Sequence, residues 1–407
     1  MALPPPRTRT CRSKAGWSST WVHKIEHWQR NKAMKITRFD ITPLKQRGLL
    51  LQVHTDEGLV GYGSPMNYEH GRTVARAIED MGDYLLGKDP RQIEDHWQTL
   101  FRSSYARQMP ILTSALSGIE HACLDILGKS LDVPIWRLLG GTCRQRLRVY
   151  GGASGPSPAE YATSARRTVD RGFTALKVTP FPRAMRYIES PAAIDEVVAR
   201  IGAIRDEVGP AIDIAIDFHR AVSPALARLL LKELEPLRPM FVEEPTHPEN
   251  VDALLEIARS TTIPIATGER NTTRWGFREI CEKKAAAVLQ PDIRHCGGIL
   301  ETRKIAALAE IHYISLAPHS AADPVGIAAA AQCMAATPNF LIMEFGGGAG
   351  HDLFKEPLVY KDGYLELPEG PGLGIEIDPE GLEANRATEW RQRAMRRDPE
   401  DGSYADI

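Results

Sequence analysis

The stretch IDIAIDFH at residues 212–219 is followed at regular intervals by MFVEEP at 240–245 and IPIATGE at 263–269. Each segment is short and apolar, and each runs into acidic residues at its end. Helical sequence separates the segments, as in PALARLLLKELEPL at 224–237. Short buried strands that alternate with helices are typical of a parallel α/β sheet, so this stretch predicts an α/β fold.

The same pattern continues on both sides and gives eight strand candidates between residues 148 and 346. The other five are RVYGGA, FTALKVT, AVLQPD, ISLAPH and FLIMEF. Eight such units predict a (β/α)8-type barrel over residues 148–354. A doubly wound open sheet is the alternative, but no dinucleotide fingerprint follows the first strand. The cluster GGGAG at 346–350 is a lone glycine run that a flexible loop explains better than a phosphate site.

The rest of the chain divides around this barrel. Residues 34–147 contain alternating strand patterns followed by helical ones, which predicts an α+β capping domain. Residues 355–407 include KDGYLELPEG, a predicted hairpin in a C-terminal segment that we expect to return to the cap. Residues 1–33 carry seven Lys/Arg against one acid and no apolar periodicity. They are interpreted as a disordered extension or an upstream start before Met34, with a transit peptide as the alternative.

Composition excludes several classes of protein. The 407 residues include 50 basic and 52 acidic side chains, a balance that disfavours nucleic-acid binding. No apolar run is long enough for a transmembrane helix, so no membrane partner is expected. The six cysteines are scattered without a CxxC pair, which argues against a zinc ribbon or a disulfide scaffold. Reduced thiols indicate a cytoplasmic protein.

Three carboxylates end neighbouring strands of the predicted barrel. Asp217, Glu243 and Glu269 are each 26 residues apart, which predicts that they lie at the same height and converge. Carboxylates that close repel one another unless a hard cation lies among them, and oxygen ligands suit Mg²⁺. Glu244 competes with Glu243, but spacing and strand alternation favour Glu243. Solvated loop acids are the alternative interpretation.

Two histidines share this end of the barrel. His219 lies two residues after Asp217, so strand alternation predicts that it points to the same side. His319 ends the APH strand, and Asp292 ends the strand before it, where it could orient the imidazole of a general base. Glu344 ends the eighth strand, within reach of a substrate oxygen. Three other barrel histidines, His295, His312 and His351, are interpreted as structural.

These motifs, in this order, resemble the enolase superfamily and its mandelate racemase-like subgroup. SALSGIEHACLDILGKSLDVPIWRLLGG, VEEP, TGER and QPDIRHCGGILETRKIA carry the likeness, and LLGKDPRQIEDHWQTLFR and TGERNTTRW resemble galactonate and related sugar-acid dehydratases. The resemblance covers most of residues 34–380. It implies that Mg²⁺ is bound by Asp217, Glu243 and Glu269, that His319 with Asp292 is the base and His219 the acid, and that Glu344 stabilises the enolate.

One position departs from the wider subgroup. Many of its racemases carry Lys-x-Lys after the second strand, whereas this chain has Lys177-Val178-Thr179. Thr179 cannot abstract a proton, so two-base racemisation is disfavoured. Lys177 is expected to form an ion pair with the substrate carboxylate or with one of the metal ligands. A structural lysine that lines the barrel is the alternative. In the loop GSPMNYEHGRT at 63–73, Asn67 and Tyr68 are candidate contacts for distal substrate hydroxyls, and an ordinary polar turn is the alternative.

The predicted function is Mg²⁺-dependent dehydration of a small-molecule sugar acid, galactonate or a similar aldonic acid, to a 2-keto-3-deoxy acid. Loss of the C2 proton to His319 and of the C3 hydroxyl with help from His219 would accomplish it. An epimerase or cycloisomerase working through the same enediolate is the alternative. A catalytically silent binding protein is the third hypothesis. Barrels of this kind often assemble, so a homo-oligomer is expected.

Overall fold

Eight parallel strands form a closed barrel in the part of the chain that the computed structural model describes. The strands are β4 (Arg146–Ala153), β5 (Ala175–Val178), β6 (Asp213–Asp217), β7 (Phe241–Glu243), β8 (Ile265–Thr267), β9 (Val288–Leu289), β10 (Ser315–Leu316) and β11 (Met343–Glu344). Strands β4 to β8 pair in chain order, β8 pairs β9 and β9 pairs β10. The last strand, β11, pairs with β4 and is joined to β10 by a bridge between Leu316 and Phe340. Seven of the eight lie within the segments predicted from sequence, and β4 begins two residues before the predicted segment RVYGGA.

The structure describes residues 34–45, 48–66, 70–107, 109–181, 191–320, 323–346, 348–390, 397 and 402. Helices alternate with the barrel strands as their apolar periodicity predicts. They are α5 (Pro158–Asp170), α6 (Pro191–Val208), α7 (Pro224–Leu234), α8 (Val251–Arg259), α9 (Thr273–Lys283), α10 (Ile299–Glu310) and α11 (Pro324–Ala335). No helix in these ranges is long and apolar enough to cross a membrane.

Alternation along the strands stacks the barrel interior in layers. One buried residue in or next to each strand forms a separate core cluster, namely Tyr150, Ala175, Ala215, Phe241, Ala266, Val288, Ala317 and Ile342. Residues two positions further along a strand face the same side. The positions two residues further along are Gly152, Lys177, Asp217, Glu243, Gly268, Gln290, His319 and Glu344, of which Gly268, Gln290 and His319 lie just beyond the strand ends. A polar layer therefore follows an apolar one at the carboxyl end of the barrel, where barrel enzymes place their sites.

An α+β domain precedes the barrel, as predicted. Its elements are β1 (Ile36–Pro43), β2 (Leu49–Thr55), β3 (Val60–Gly63), α1 (Gly71–Leu85), α2 (Ile93–Ser103), α3 (Pro110–Leu131) and the short α4 (Ile135–Leu138). The three strands form an antiparallel sheet in chain order, and the long helix α3 packs on β2 and β3. Gly61 and Gly63 permit this packing, because a Cβ on either would lie about 2 Å from a carbonyl oxygen of α3.

The C-terminal segment divides its contacts between the two domains. The predicted hairpin forms as β12 (Tyr360–Lys361) and β13 (Tyr364–Glu366), but β13 pairs antiparallel with barrel strand β4. The hairpin itself therefore packs on the barrel, where β13 covers the free edge of the amino-terminal half of β4. Later residues do reach the cap, where Ala387 N donates to Pro43 O and Leu373 N donates to Asp125 Oδ1. A last helix, α12, spans Pro379–Asn385.

Helix α3 joins the cap to the barrel through the start of α10. The Glu120 carboxylate accepts the backbone N–H groups of Ile299 and Leu300 at 2.9 and 2.8 Å. These are N–H groups that a helix leaves unpaired at its first turn, so Glu120 caps a helix of the other domain. Gly298 before them has φ +95° and ψ −169°, a conformation reserved for glycine. Close approach of the two domains thus depends on the GG pair at 297–298.

A buried histidine on the same helix gives the interface a defined response to acid. His121 Nε2 lies 3.1 Å from Ile293 O, and burial lowers the pKa of His121 to about 4. The unfolded chain binds this proton near pH 6.5, so native stability is lost as the pH falls from about 6.5 to about 4. We expect His121→Gln to remove up to about 3 kcal/mol of this loss. Urea unfolding at pH 7 and pH 4.5 measures it, and equal pH dependence in both proteins would contradict the assignment.

Candidate active site

Two carboxylates and a lysine form the centre of the polar layer. Asp217 and Glu243 are direct partners across β6 and β7, and both are completely buried. Lys177 Nζ lies 2.6 Å from Glu243 Oε1 and 3.1 Å from Asp217 Oδ2. Burial opposes ionisation of all three, but the carboxylates nevertheless raise the pKa of Lys177 well above its usual range. The lysine is thus a fixed positive charge among carboxylates.

The choice between the adjacent acids Glu243 and Glu244 agrees with their surroundings. Glu244 leaves the strand with φ +47°. Its Oε1 accepts from the Thr267 hydroxyl at 2.6 Å and from Gly268 N at 3.0 Å, and Arg220 Nη1 donates to its Oε2 at 3.0 Å. These hydrogen bonds hold the Glu244 side chain against the ends of the neighbouring strands, whereas Glu243 projects into the polar layer beside Asp217.

Glu269 joins this group from a different height than predicted. The register pairs Glu243 with Ala266, so Glu269 lies three residues beyond the position level with Glu243. Equal spacing along the chain failed as a guide because β8 ends at Thr267 and Gly268, with φ +130°, starts a turn. Glu269 still points toward the site, since its Oε2 lies 3.3 Å from His319 Nε2.

Arg220 is a site residue that the sequence analysis missed. It is buried, and its guanidinium contacts both Glu244 and Glu269. His219 and Arg220 both have positive φ, at 46° and 59°, which turns the chain sharply after β6. Non-glycine residues adopt this conformation only occasionally, and no sequence signal marks it here.

His319 and Asp292 form the predicted pair. His319 Nδ1 lies 2.7 Å from Asp292 Oδ2, and both side chains are buried. Burial disfavours the imidazolium, but Glu269, Glu344 and Asp292 together raise the pKa of His319 to about 9. Asp292 lies three residues after β9 ends at Leu289, so it belongs to the loop and not to the strand. The arrangement fixes the imidazole so that Nε2 faces the carboxylates of the site.

Glu344 and Lys177 connect the two halves of the site. Glu344 Oε1 lies 3.3 Å from Lys177 Nζ, and Glu344 Oε2 accepts from Ser320 N at 2.8 Å. Glu344 Oε2 is also 3.8 Å from His319 Nε2. Burial favours the acid form, but Lys177 and His319 lower the pKa of Glu344, so its carboxylate is charged.

His219 contacts Asp217 from a turn after the strand, and not from the same side of the strand as predicted. Strand β6 ends at Asp217, so strand alternation does not apply to His219, which lies in the positive-φ turn. Its Nε2 is 2.9 Å from Asp217 Oδ2, and its Nδ1 is 3.4 Å from Thr179 Oγ1. The side chain is 45% exposed, the most open of the candidate acid and base groups. It therefore lies at the mouth of the site, opposite the buried His319.

The buried oxygens of this site fit a hard cation. Glu243 Oε2 is buried without a hydrogen bond among the described residues, and the buried Asp217 Oδ2 lies 3.1 Å from Lys177 Nζ and 2.9 Å from His219 Nε2. Burial and the charge of Asp217 raise the pKa of Glu243 well above its usual range, as expected for a carboxylate that lacks a sufficient counter-charge. Within the described ranges, no three Asp, Glu, His or Cys side chains already form a metal-binding cluster. Instead, Lys177 forms an ion pair with Glu243, and Arg220 forms one with Glu269.

The predicted contacts from the cap loop lie outside the description. Asn67 and Tyr68 fall in the gap between residues 66 and 70. Residues on either side of that gap are described, and Ser64 and Met66 both contact the barrel.

Gln290 was also missed from the sequence, although it occupies the polar layer next to His319. Its amide is fully buried, and both polar atoms lack a hydrogen bond among the described residues.

The barrel, the cap and this set of strand-end residues define a class of enzyme. Residues 160–381 match the model of the enolase C-terminal domain-like family. Residues 24–140 match the mandelate racemase / muconate lactonizing enzyme N-terminal domain, a match that begins ten residues before the predicted start of the cap. The chain belongs to the enolase superfamily, in its mandelate racemase-like branch, which confirms the membership and the fold predicted from sequence.

Individual relatives narrow the comparison. The chain is 39% identical over 384 residues to D-galactonate dehydratase of Variovorax paradoxus, covering 92% of this chain and all of that one. The D-galactonate dehydratase of Klebsiella pneumoniae is 38% identical, with 89% and 98% covered. Among solved structures, a mandelate racemase/muconate lactonizing enzyme from Jannaschia sp. superposes with a TM-score of 0.83 at 34% identity, covering 88% and 99%. An enolase superfamily member from Salmonella Typhimurium gives 0.82 at 30%, covering 86% and 98%.

Proposed function

We propose that this protein is a Mg²⁺-dependent dehydratase of a sugar acid, with D-galactonate or a similar aldonic acid as substrate. The observation that carries the proposal is the buried His319–Asp292 pair, which faces the carboxylates of the site. Full-length relatives that are D-galactonate dehydratases support the choice of reaction and substrate class.

Mg²⁺ would be held by Asp217, Glu243 and Glu269. Glu243 carries a buried oxygen without a hydrogen bond among the described residues, and oxygen ligands are the ones this cation prefers. When bound, the cation stabilises the second negative charge that develops on a carboxylate whose α-proton is removed. Lys177 and Glu344 border the same space and would position the substrate carboxylate and its enediolate by fixed contacts.

His319 and His219 would divide the two proton transfers. A base at C2 must be neutral, and bound Mg²⁺ would neutralise charge on Glu269, which contributes to the raised pKa of His319. Asp292 holds Nδ1 of His319 so that Nε2 is directed at the site. The departing C3 hydroxyl needs a proton because hydroxide is a poor leaving group. His219, more exposed and paired with Asp217, is placed to supply it. Loss of water leaves an enol, which becomes the 2-keto-3-deoxy acid.

Screening aldonic and aldaric acids with the purified protein tests this function. We expect Mg²⁺-dependent formation of a 2-keto acid that semicarbazide traps, abolished by EDTA and restored by added Mg²⁺. Epimerisation or cycloisomerisation would consume substrate without a trapped product. Absence of any reaction, together with no thermal stabilisation by Mg²⁺, would favour a silent binding protein.

A further inference from the structure

A buried chain of polar contacts runs from the cap to Asp292. Ser64, directly after β3 of the cap, donates its hydroxyl to Asp323 Oδ2 at 2.8 Å. Arg294 Nη1 donates to the same oxygen at 3.1 Å. Arg294 Nε and Nη2 donate to Oδ1 and Oδ2 of Asp292 at 2.9 and 2.5 Å. Three contacts therefore separate a cap residue from the carboxylate that holds His319.

The barrel is shaped to hold Arg294 in this place. The residue is 1% exposed and is among the largest fully buried side chains in the described ranges. Gly326 makes room for it, because a Cβ there would lie 2.5 Å from Arg294 Cδ. Asp323 is fixed in turn, since its Oδ1 accepts from Gly326 N at 2.8 Å at the start of α11. The cap adds a second contact, in which Met66 N donates to Arg294 O at 3.0 Å.

This series of hydrogen bonds fixes the orientation of the Asp292 carboxylate toward His319. Arg294 donates to Asp292 Oδ1 through both its backbone N–H and Nε, at 2.9 Å each. The other oxygen, Oδ2, is shared between Arg294 Nη2 and His319 Nδ1. Donors on both oxygens fix the plane of the carboxylate, and a fork of two N–H groups does this more sharply than a point charge. The orientation of the imidazole follows from that plane.

We propose that Arg294 is a positioning residue of the His319–Asp292 pair, and that Ser64 makes the cap domain part of its support. The inference rests on the proposed function only in treating His319 as the base. If the Arg294–Asp292 ion pair were only structural, it would stabilise the fold, and the geometry of the His319–Asp292 hydrogen bond would not depend on Ser64.

Ser64→Ala and Ser117→Ala form a matched pair for the test. Both serines are fully buried in the cap, and both hydroxyls bond to the barrel. Ser117 Oγ accepts from Gly297 N at 2.9 Å and has no contact with the chain that leads to Asp292. Both variants keep the cap–barrel packing, which avoids the folding risk of removing the buried Arg294.

The first readout needs neither substrate nor metal. The proton between His319 Nδ1 and Asp292 should give a downfield ¹H NMR resonance, assigned by its loss in His319→Asn. We expect this resonance to shift or broaden in Ser64→Ala and in Arg294→Lys, and to stay unchanged in Ser117→Ala. An unchanged resonance in Ser64→Ala, or equal changes in both serine variants, would overturn the proposal.

The second readout is turnover of the sugar acid. We expect Ser64→Ala to lower kcat about tenfold with little change in KM, as for outer partners of site residues. Ser117→Ala should lose similar thermal stability and keep its kcat. Adding Ser64→Ala to Arg294→Lys should cost less than its effect alone, because both act through Asp292. Equal kcat losses in the two serine variants would contradict the proposal. A wild type without sugar-acid turnover would refute the proposed function, and the NMR result alone would then test the role of Arg294 and Ser64.

Discussion

Replacement of His319 by Asn is expected to abolish both turnover and exchange of the substrate C2 proton. Asparagine can still donate to Asp292 but cannot accept a proton, so the fold should be kept while the base is lost. General-base catalysis is worth about 10²–10⁴-fold, and the loss should reach at least this range. Proton NMR of the substrate in D₂O, with Mg²⁺ present, measures exchange and product in one experiment.

A histidine elsewhere controls for the substitution itself. His96 is also buried, and its Nε2 lies 2.8 Å from Asp89 O within the cap. His96→Asn should retain both exchange and turnover. Retained exchange in His319→Asn would remove His319 as the base, and lost turnover with retained exchange would restrict it to the elimination step.

Replacement of Lys177 by Met is expected to destabilise the metal-free protein strongly. The Nζ atom lies within 3.3 Å of oxygens from Asp217, Glu243 and Glu344, so its removal leaves buried carboxylates without their nearest cation. Breaking a buried ion pair from one side typically costs about 3–5 kcal/mol. Thermal unfolding in EDTA measures the loss. Added Mg²⁺ should recover part of it, because the cation neutralises the same carboxylates.

Lys129 offers a matched control far from the site. Its Nζ lies 2.6 Å from the buried Asp125 in the cap. Lys129→Met should also lower the melting temperature in EDTA, but Mg²⁺ should raise it no more than in the wild type. A larger Mg²⁺ response in Lys129→Met than in Lys177→Met would contradict the assignment of the three carboxylates.

The barrel was predictable because its sequence repeats one simple unit. Each apolar segment is short, and most carry a polar residue at or near the end and are followed by a helical pattern, so eight strands could be predicted without knowing their pairing. The strand ends also identified Asp217, Glu243 and Glu344 as candidate site residues, and alternation favoured Glu243 over Glu244. Local sequence carries this information because the alternation is a property of the strand itself.

Residues beyond the strand ends escaped the same reasoning. His219 and Arg220 take positive φ, and Glu269 follows a glycine turn, so neither period nor spacing fixes their height. Arg294 resembled any charged loop residue, and only the folded chain brings Asp323 and Ser64 to it from distant segments. The pairing of the hairpin with β4 was not predicted, because sequence does not show which strand edge is open.

Product analysis by NMR in D₂O tests the central claim most directly. The protein is incubated with D-galactonate and Mg²⁺, and the product is examined for the position of deuterium. The proposed mechanism predicts a 2-keto-3-deoxy acid with one deuterium at C3, delivered when the enol ketonises, and no product in EDTA. Return of substrate or its epimer with deuterium at C2, and no keto acid from this or any related aldonic acid, would contradict it.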